Sequence, residues 1–149
     1  MFRLVADPAI ALPRRLEVLA PLFPRAWGGK AGGRQLPRLI AVSPAGADDL
    51  VFLTSAGEMY RLAGDGSFTP FTRLPRGQYN RITMTAGPEG SVFVSGGFHV
   101  AQIFRVANDG TVTLPASGLA DPEGIAVDLD GNVYIAESAL HRIVRIRSR

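Results

Sequence analysis

Apolar and polar residues alternate along this chain in short runs that return three times. The runs are IAVSPAGADDLVFLTSAGEMYRL from Ile40, ITMTAGPEGSVFVSGGFHVAQIFRV from Ile82 and IAVDLDGNVYIAESALHRIVRI from Ile125. The leading isoleucines stand 42 and 43 residues apart, Val51, Val92 and Val133 stand 41 and 41 apart, and Arg61, Arg105 and Arg145 stand 44 and 40 apart. Alternation with period two predicts strands, because successive side chains of a strand point to opposite faces. Self-similarity at this spacing predicts a repeat architecture.

Turn chemistry divides each copy. In the third, Asp130-Gly131 separates Ile125 and Val127 from Val133 and Ile135, which predicts a hairpin with these four on one face and Ala126 and Tyr134 on the other. The second copy turns at Pro88-Glu89-Gly90 and the first at Ala45 to Asp49. Further turns at Gly64-Asp65-Gly66 and Asn108-Asp109-Gly110 precede fourth strands at Ser67 to Thr72 and Thr111 to Leu114. The stretches Arg73 to Asn80 and Pro115 to Glu123, rich in Pro and Gly, read as connections between units. Four antiparallel strands recurring at this period describe a β-propeller blade. The expected fold is all-β: a partial β-propeller of about three four-stranded antiparallel blades, half of a six-bladed ring in one reading. Residues 1–38 read as an N-terminal segment with strand-like runs at Phe2 to Ala6 and Leu16 to Leu19, a degenerate blade or a closing strand, and a Gly-rich linker. Blades follow at 39–80, 81–123 and 124–149, the last incomplete.

The stretch LADPEGIAVDLDGNVYIAESALHRIVRI, matched almost continuously from Pro122 to Ile146, resembles an NHL repeat, whose pattern runs P-x-G-I-A-V-D, D-G-N-V-Y-V-A-D/E-S, R-I-x-R/K. The second copy keeps the strands and Arg105 but carries Ala86 and Gly96 at the acidic positions, and the first copy keeps less. Similar blades occur in gluconolactonase-like, virginiamycin B lyase-like and strictosidine synthase-like propellers, so the resemblance implies architecture more than subfamily.

A closed propeller needs about four to eight blades, and three leave two sheet faces to be covered. Three completions are open: two chains pairing into one ring, another protein supplying the remaining blades, or a longer chain of which this is a part. Self-association or a completing partner is therefore expected.

Composition narrows the chemistry. The chain has no cysteine, which removes disulfides and thiolate chemistry, and no apolar run approaches the roughly 18 residues of a membrane span. The opening residues are interrupted by Asp7, Arg14 and Arg15 and do not read as a signal peptide, so the default compartment is the cytoplasm. Net charge is +3, yet residues 41–140 hold five basic and eleven acidic side chains, and positive charge gathers at the two chain ends.

Several motifs fail on inspection. Asp128-Leu129-Asp130-Gly131-Asn132 has alternating oxygens like a calcium loop, but its glycine is fourth rather than sixth and Ala139 stands where the bidentate glutamate belongs. Gly28 to Gly33 contains Lys30 followed by Ala31, not the Ser or Thr of a phosphate loop, and reads as linker. No cofactor is required by the pattern. Calcium or zinc enters only with the alternative below, and a zinc site would need His99, His141 and Glu137, brought from adjacent blades. The lyase-like resemblance implies a histidine and a glutamate near the channel, which His99 or His141 with Glu137 imitate, and this keeps a metal-dependent propeller enzyme as an alternative. No activated nucleophile is present in sequence, and no catalytic residue is assigned. A second alternative is single-stranded RNA binding, with Arg34, Arg38, Arg73, Arg76 and Arg81 for phosphates and Tyr79 and Phe98 for stacking, opposed by Asp121, Glu123 and Glu137. The reading favoured here is a binding or scaffold module recognising a protein or other ligand through loops on one face. Its candidate residues are Arg38, Arg81, Phe98, His99, Glu123, Glu137 and His141.

Overall fold

The computed structural model describes residues 30–31, 34–35, 37–75, 79, 81–96 and 101–148. A two-residue pair, β1 (Lys30–Ala31) with β2 (Arg34–Gln35), comes first, so the Gly-rich stretch carries a short antiparallel pairing rather than plain linker. The rest is three antiparallel sheets in chain order. The first is β3 (Leu39–Pro44), β4 (Leu50–Thr54), β5 (Glu58–Leu62) and β6 (Phe68–Arg73). The second is β7 (Met84–Ala86), β8 (Val92–Ser95), β9 (Gln102–Val106) and β10 (Val112–Ser117). The third has three strands, β11 (Pro122–Val127), β12 (Val133–Glu137) and β13 (Arg142–Ile146). Among the described residues, no helix is long and apolar enough to cross a membrane.

Each sheet is a meander, so its strands lie in sequence order, and the innermost strands β3, β7 and β11 pack in succession. Strand alternation then gives every sheet two working faces. On β8, Val92 and Val94 join Val51, Leu53, Met59, Phe104 and Val106 in a core between the first and second sheets. Phe93, between them, turns the other way with Ile103 into a second core with Val133 and Ile135. Ile125 and Val127 pack against that second core, as their alternation predicts.

The connection expected from Pro115 to Glu123 is shorter than its composition suggests. Pro115 lies inside β10 at an irregularity between Thr113 and Ala116, and β11 begins at Pro122. Both are edge strands, where a residue without an amide hydrogen costs no interior ladder bond.

Register corrects one equivalence of the repeat. The first turn of each sheet closes through the same backbone bond, from the N–H of Ala45, Gly87 or Asp128 to the carbonyl of Asp49, Ser91 or Asn132. The next residue, which opens the second strand, is Leu50, Val92 or Val133. Leu50, not Val51, therefore occupies the place of the two valines. The third strands agree: Arg61 stands opposite Val51, Arg105 opposite Phe93 and Arg145 opposite Tyr134. Because strand faces alternate, this shift of one residue decides which side of the first sheet each residue serves.

Candidate functional site

Two kinds of loop meet at one edge of the sheets: those arriving at the innermost strand, and those joining the second strand to the third. A serine at the end of the second strand ties them together in every sheet. Ser55 N–H donates to Arg38 O at 2.8 Å while Arg38 N–H donates to Ser55 Oγ at 3.1 Å. Ser95 N–H donates to Thr83 O at 2.9 Å while Thr83 N–H donates to Ser95 Oγ at 2.8 Å. Ser138 N–H donates to Asp121 O at 3.1 Å, and its hydroxyl reaches Asp121 Oδ2 at 3.0 Å. These clamps fix the backbone from which the loop side chains project. Nothing in the sequence marks them, since a serine after an apolar run has many uses.

Arg81 and Asp121, just ahead of the second and third sheets, are left-handed at φ 50° and φ 55°, a conformation costly for residues with a side chain. The second and third sheets are also joined here: Thr83 Oγ–H donates to Glu123 O at 2.6 Å, and Arg81 Nη1 stands 3.8 Å from Glu123 Oε1. Beside this pair lies a cleft of about 270 Å³ lined by Arg38, Leu39, Ile40, Arg81 and Ile82. Two of the candidate residues, Arg38 and Arg81, thus share one cleft, with Glu123 paired to Arg81 beside it, and Leu39 with the leading isoleucines of the first two repeats forms the apolar lining. The Arg81 side chain is largely exposed.

Glu137 is placed differently. It is 1% exposed, and both carboxylate oxygens are engaged: Oε1 accepts from Ala120 N–H at 2.7 Å and Oε2 from Arg142 Nε. The Arg142 hydrogen bond, assisted by Ala120 N–H, holds its carboxyl below the ordinary value. Glu137 ties the loop after β12 to the stretch before β11. His141, left-handed at φ 47° and exposed, closes that loop through its N–H to Ser138 O at 3.3 Å. Phe98 and His99 lie outside the described residues, as do Arg76 and the side chain of Arg34.

Among the described residues no three His, Asp or Glu side chains are grouped to hold a metal. Asp128 is likewise occupied: it accepts from the N–H groups of Asp130 and Asn132, the Asn132 amide at 2.9 Å and the Tyr134 hydroxyl at 3.0 Å. Led by the Asn132 amide, these donors lower its pKa and make the Asp128 loop a hydrogen-bonded turn. Tyr79 corrects the stacking expectation. It is 1% exposed, its hydroxyl donates to Pro75 O, and its ring lies against Gly57, so no face remains for a base.

No protein-family model matches the chain, and no curated protein does. Solved structures do match. A catalytically inactive virginiamycin B lyase from Staphylococcus aureus, solved with quinupristin, is 19% identical over 75% of this chain and 39% of its own, with a TM-score of 0.61. The chain is a partial β-propeller. A streptogramin B lyase matches at 14% identity over 74% of this chain and 40% of its own, TM-score 0.57. Regucalcin from Agrobacterium tumefaciens, described as a calcium-binding protein, matches at 18% identity over 78% of this chain and 42% of its own, TM-score 0.55. The chain spans 39 to 42% of the length of these three propellers, and the likeness is one of fold.

Proposed function

We propose that this partial propeller is an NHL-type binding or scaffold module, and that its recognition surface is the cleft between the starts of the first two blades. The observation that supports this is the convergence of Arg38 and Arg81 on one cleft with Leu39, Ile40 and Ile82. Two guanidiniums fit an anionic group, Arg by its planar fork of donors, and the aliphatic lining fits an apolar body beside it. The ligand class is accordingly an acidic side chain flanked by an apolar one, as on the surface of a protein partner. Glu123, 3.8 Å from Arg81, competes with the acidic ligand for that guanidinium and is displaced when it binds.

The test is a nuclear magnetic resonance titration of the labelled chain with short peptides holding one glutamate beside leucine or phenylalanine. Resonances of Arg38, Ile40, Arg81 and Ile82 are expected to move together, and the glutamine versions of the same peptides to bind about tenfold more weakly. Arg38→Ala with Arg81→Ala should abolish the shifts without changing the β-sheet circular dichroism. Peptides that shift residues of another face and leave these four still would place recognition elsewhere.

A further inference from the structure

Leu39 and Ile40 are neighbours on β3, yet both line the cleft between the first two blades. Consecutive residues of a regular strand face opposite ways. Here the ladder breaks: Leu39 stands opposite Thr54 and Ala41 opposite Leu53, which leaves Ile40 as the extra residue of a bulge. The third blade repeats the device. Its register breaks between Pro122 and Gly124, the extra residue is Glu123, and that carboxylate comes to 3.8 Å from Arg81. One bulge thus sends an aliphatic side chain into the cleft, and the other sends a carboxylate to one of its two arginines.

Both arginines start from held backbone. Arg38 is fixed by its two bonds with Ser55, and Arg81, left-handed at φ 50°, is followed by Thr83, which is fixed in the same way by Ser95. Arg38 has no ion pair among the described residues. The pair of Arg81 with Glu123 joins side chains 73% and 45% exposed, so it yields to a better-placed anion. Ile40 and Ile82 rest on the core between the first two blades, while Leu39 is 44% exposed.

Volume narrows the ligand. The cleft of about 270 Å³ has room for about nine water-sized groups at roughly 30 Å³ each, about the content of one aliphatic residue. An internal glutamate beside leucine presents its anion and its apolar body on two side chains. The last residue of a chain presents both on one Cα, and fits such a space with fewer bonds to immobilise. A free amino acid has both groups too, but it would bring its ammonium up to two guanidiniums, whereas in a chain that nitrogen is an uncharged amide.

Resting on the reading of this cleft as the site for an anionic group with an apolar body, we propose that its preferred occupant is the C-terminal residue of a partner protein, where that residue is aliphatic. The α-carboxylate lies between Arg38 and Arg81 and the side chain against Leu39, Ile40 and Ile82.

The test is a magnetic resonance titration of the full chain with three short peptides. The first ends in leucine with a free carboxylate and has no other acid, the second is its C-terminal amide, and the third is amidated and holds an internal glutamate beside leucine. The first should bind about tenfold or more tightly than either of the others, and than free leucine. Replacing its last residue by alanine should weaken it about tenfold, and Leu39→Ala, at an exposed position, should shrink that difference. Affinity for the first peptide no greater than for the second, the third or free leucine would overturn the proposal while the third still moved Arg38, Ile40, Arg81 and Ile82. A leucine preference untouched by Leu39→Ala would overturn it as well. If none of the three peptides moved those four residues, the reading of the cleft itself would fall.

Discussion

Arg61 reaches from the first blade to the second and donates to the backbone carbonyl of Asn108 at 2.8 Å. The same guanidinium lies 4.1 Å from the Phe71 ring centroid and 3.8 Å from Asp49 Oδ2, so one side chain crosses the blade junction once and is held by its own blade twice. Its side chain is 20% exposed, which makes the carbonyl contact costly to lose. Arg61→Ala is expected to lower unfolding free energy by about 1–3 kcal/mol in urea titration. Lys should recover little, because an ammonium cannot cover Phe71 and reach Asn108 with one planar group. Equal stability of Arg61→Lys and the parent would contradict this account.

Gly57 and Tyr79 set a second constraint. Gly57 has φ +81°, and a Cβ there would stand 2.7 Å from Tyr79 Cε2. Gly57→Ala combines left-handed strain with displacement of a buried ring, and should destabilise by about 1–3 kcal/mol. Tyr79→Phe keeps the ring but drops the bond to Pro75 O, at a cost of about 1 kcal/mol. Chemical denaturation separates the two, and a Gly57→Ala variant as stable as the parent would show that the ring moves freely.

Acid sensitivity follows from Glu137. The Arg142 hydrogen bond, with Ala120 N–H beside it, favours the charged form and holds this carboxyl below the ordinary glutamate value in the folded state. The group therefore binds a proton more readily when unfolded; its stabilisation is complete above the unfolded pKa and disappears as pH falls through the folded pKa. Melting temperatures measured from about pH 7 to about pH 3 should fall more steeply for the parent than for Glu137→Gln, with the curves converging at the acid end. Asp65, Asp109 and Asp128 are lowered too and contribute equally to both proteins, so the difference isolates Glu137. Parallel curves would mean that the Arg142 pairing is not formed in solution.

The third blade was legible because its signals agree: Asp130-Gly131 turns the chain, and Ile125, Val127, Val133 and Ile135 alternate without a break. The first blade misled. Val51 resembles Val92 and Val133 by letter, but register is set by the turn that closes at Asp49, and that turn carries no Asp-Gly pair. At the cleft, Arg38 and Arg81 were readable as loop arginines. That both would line one cavity with Ile40 and Ile82 required knowing that β3 and β7 are neighbours. Tyr79 looked like an exposed aromatic among Pro and Gly. Its burial depends on Gly57, twenty-two residues earlier and on another loop.

The corrected register makes a prediction that the letter-by-letter alignment does not. Val51 and Val92 share the core between the first and second blades, whereas Val133 belongs to the core between the second and third. Each valine is at most 3% exposed, and each Val→Ala change should cost about 2 kcal/mol from two lost methyl groups and the space they leave. If the three were equivalent, each would be isolated from the others in its own layer, and pairs would add. In the observed register Val51→Ala and Val92→Ala deplete one core from opposite sides, so their double variant should depart from additivity by about 0.5 kcal/mol or more. Val92→Ala with Val133→Ala, on separate cores, should add within about 0.3–0.5 kcal/mol. Urea unfolding of the three single and two double variants measures both couplings, and additive behaviour of the Val51–Val92 pair would return the first blade to the register its letters suggest.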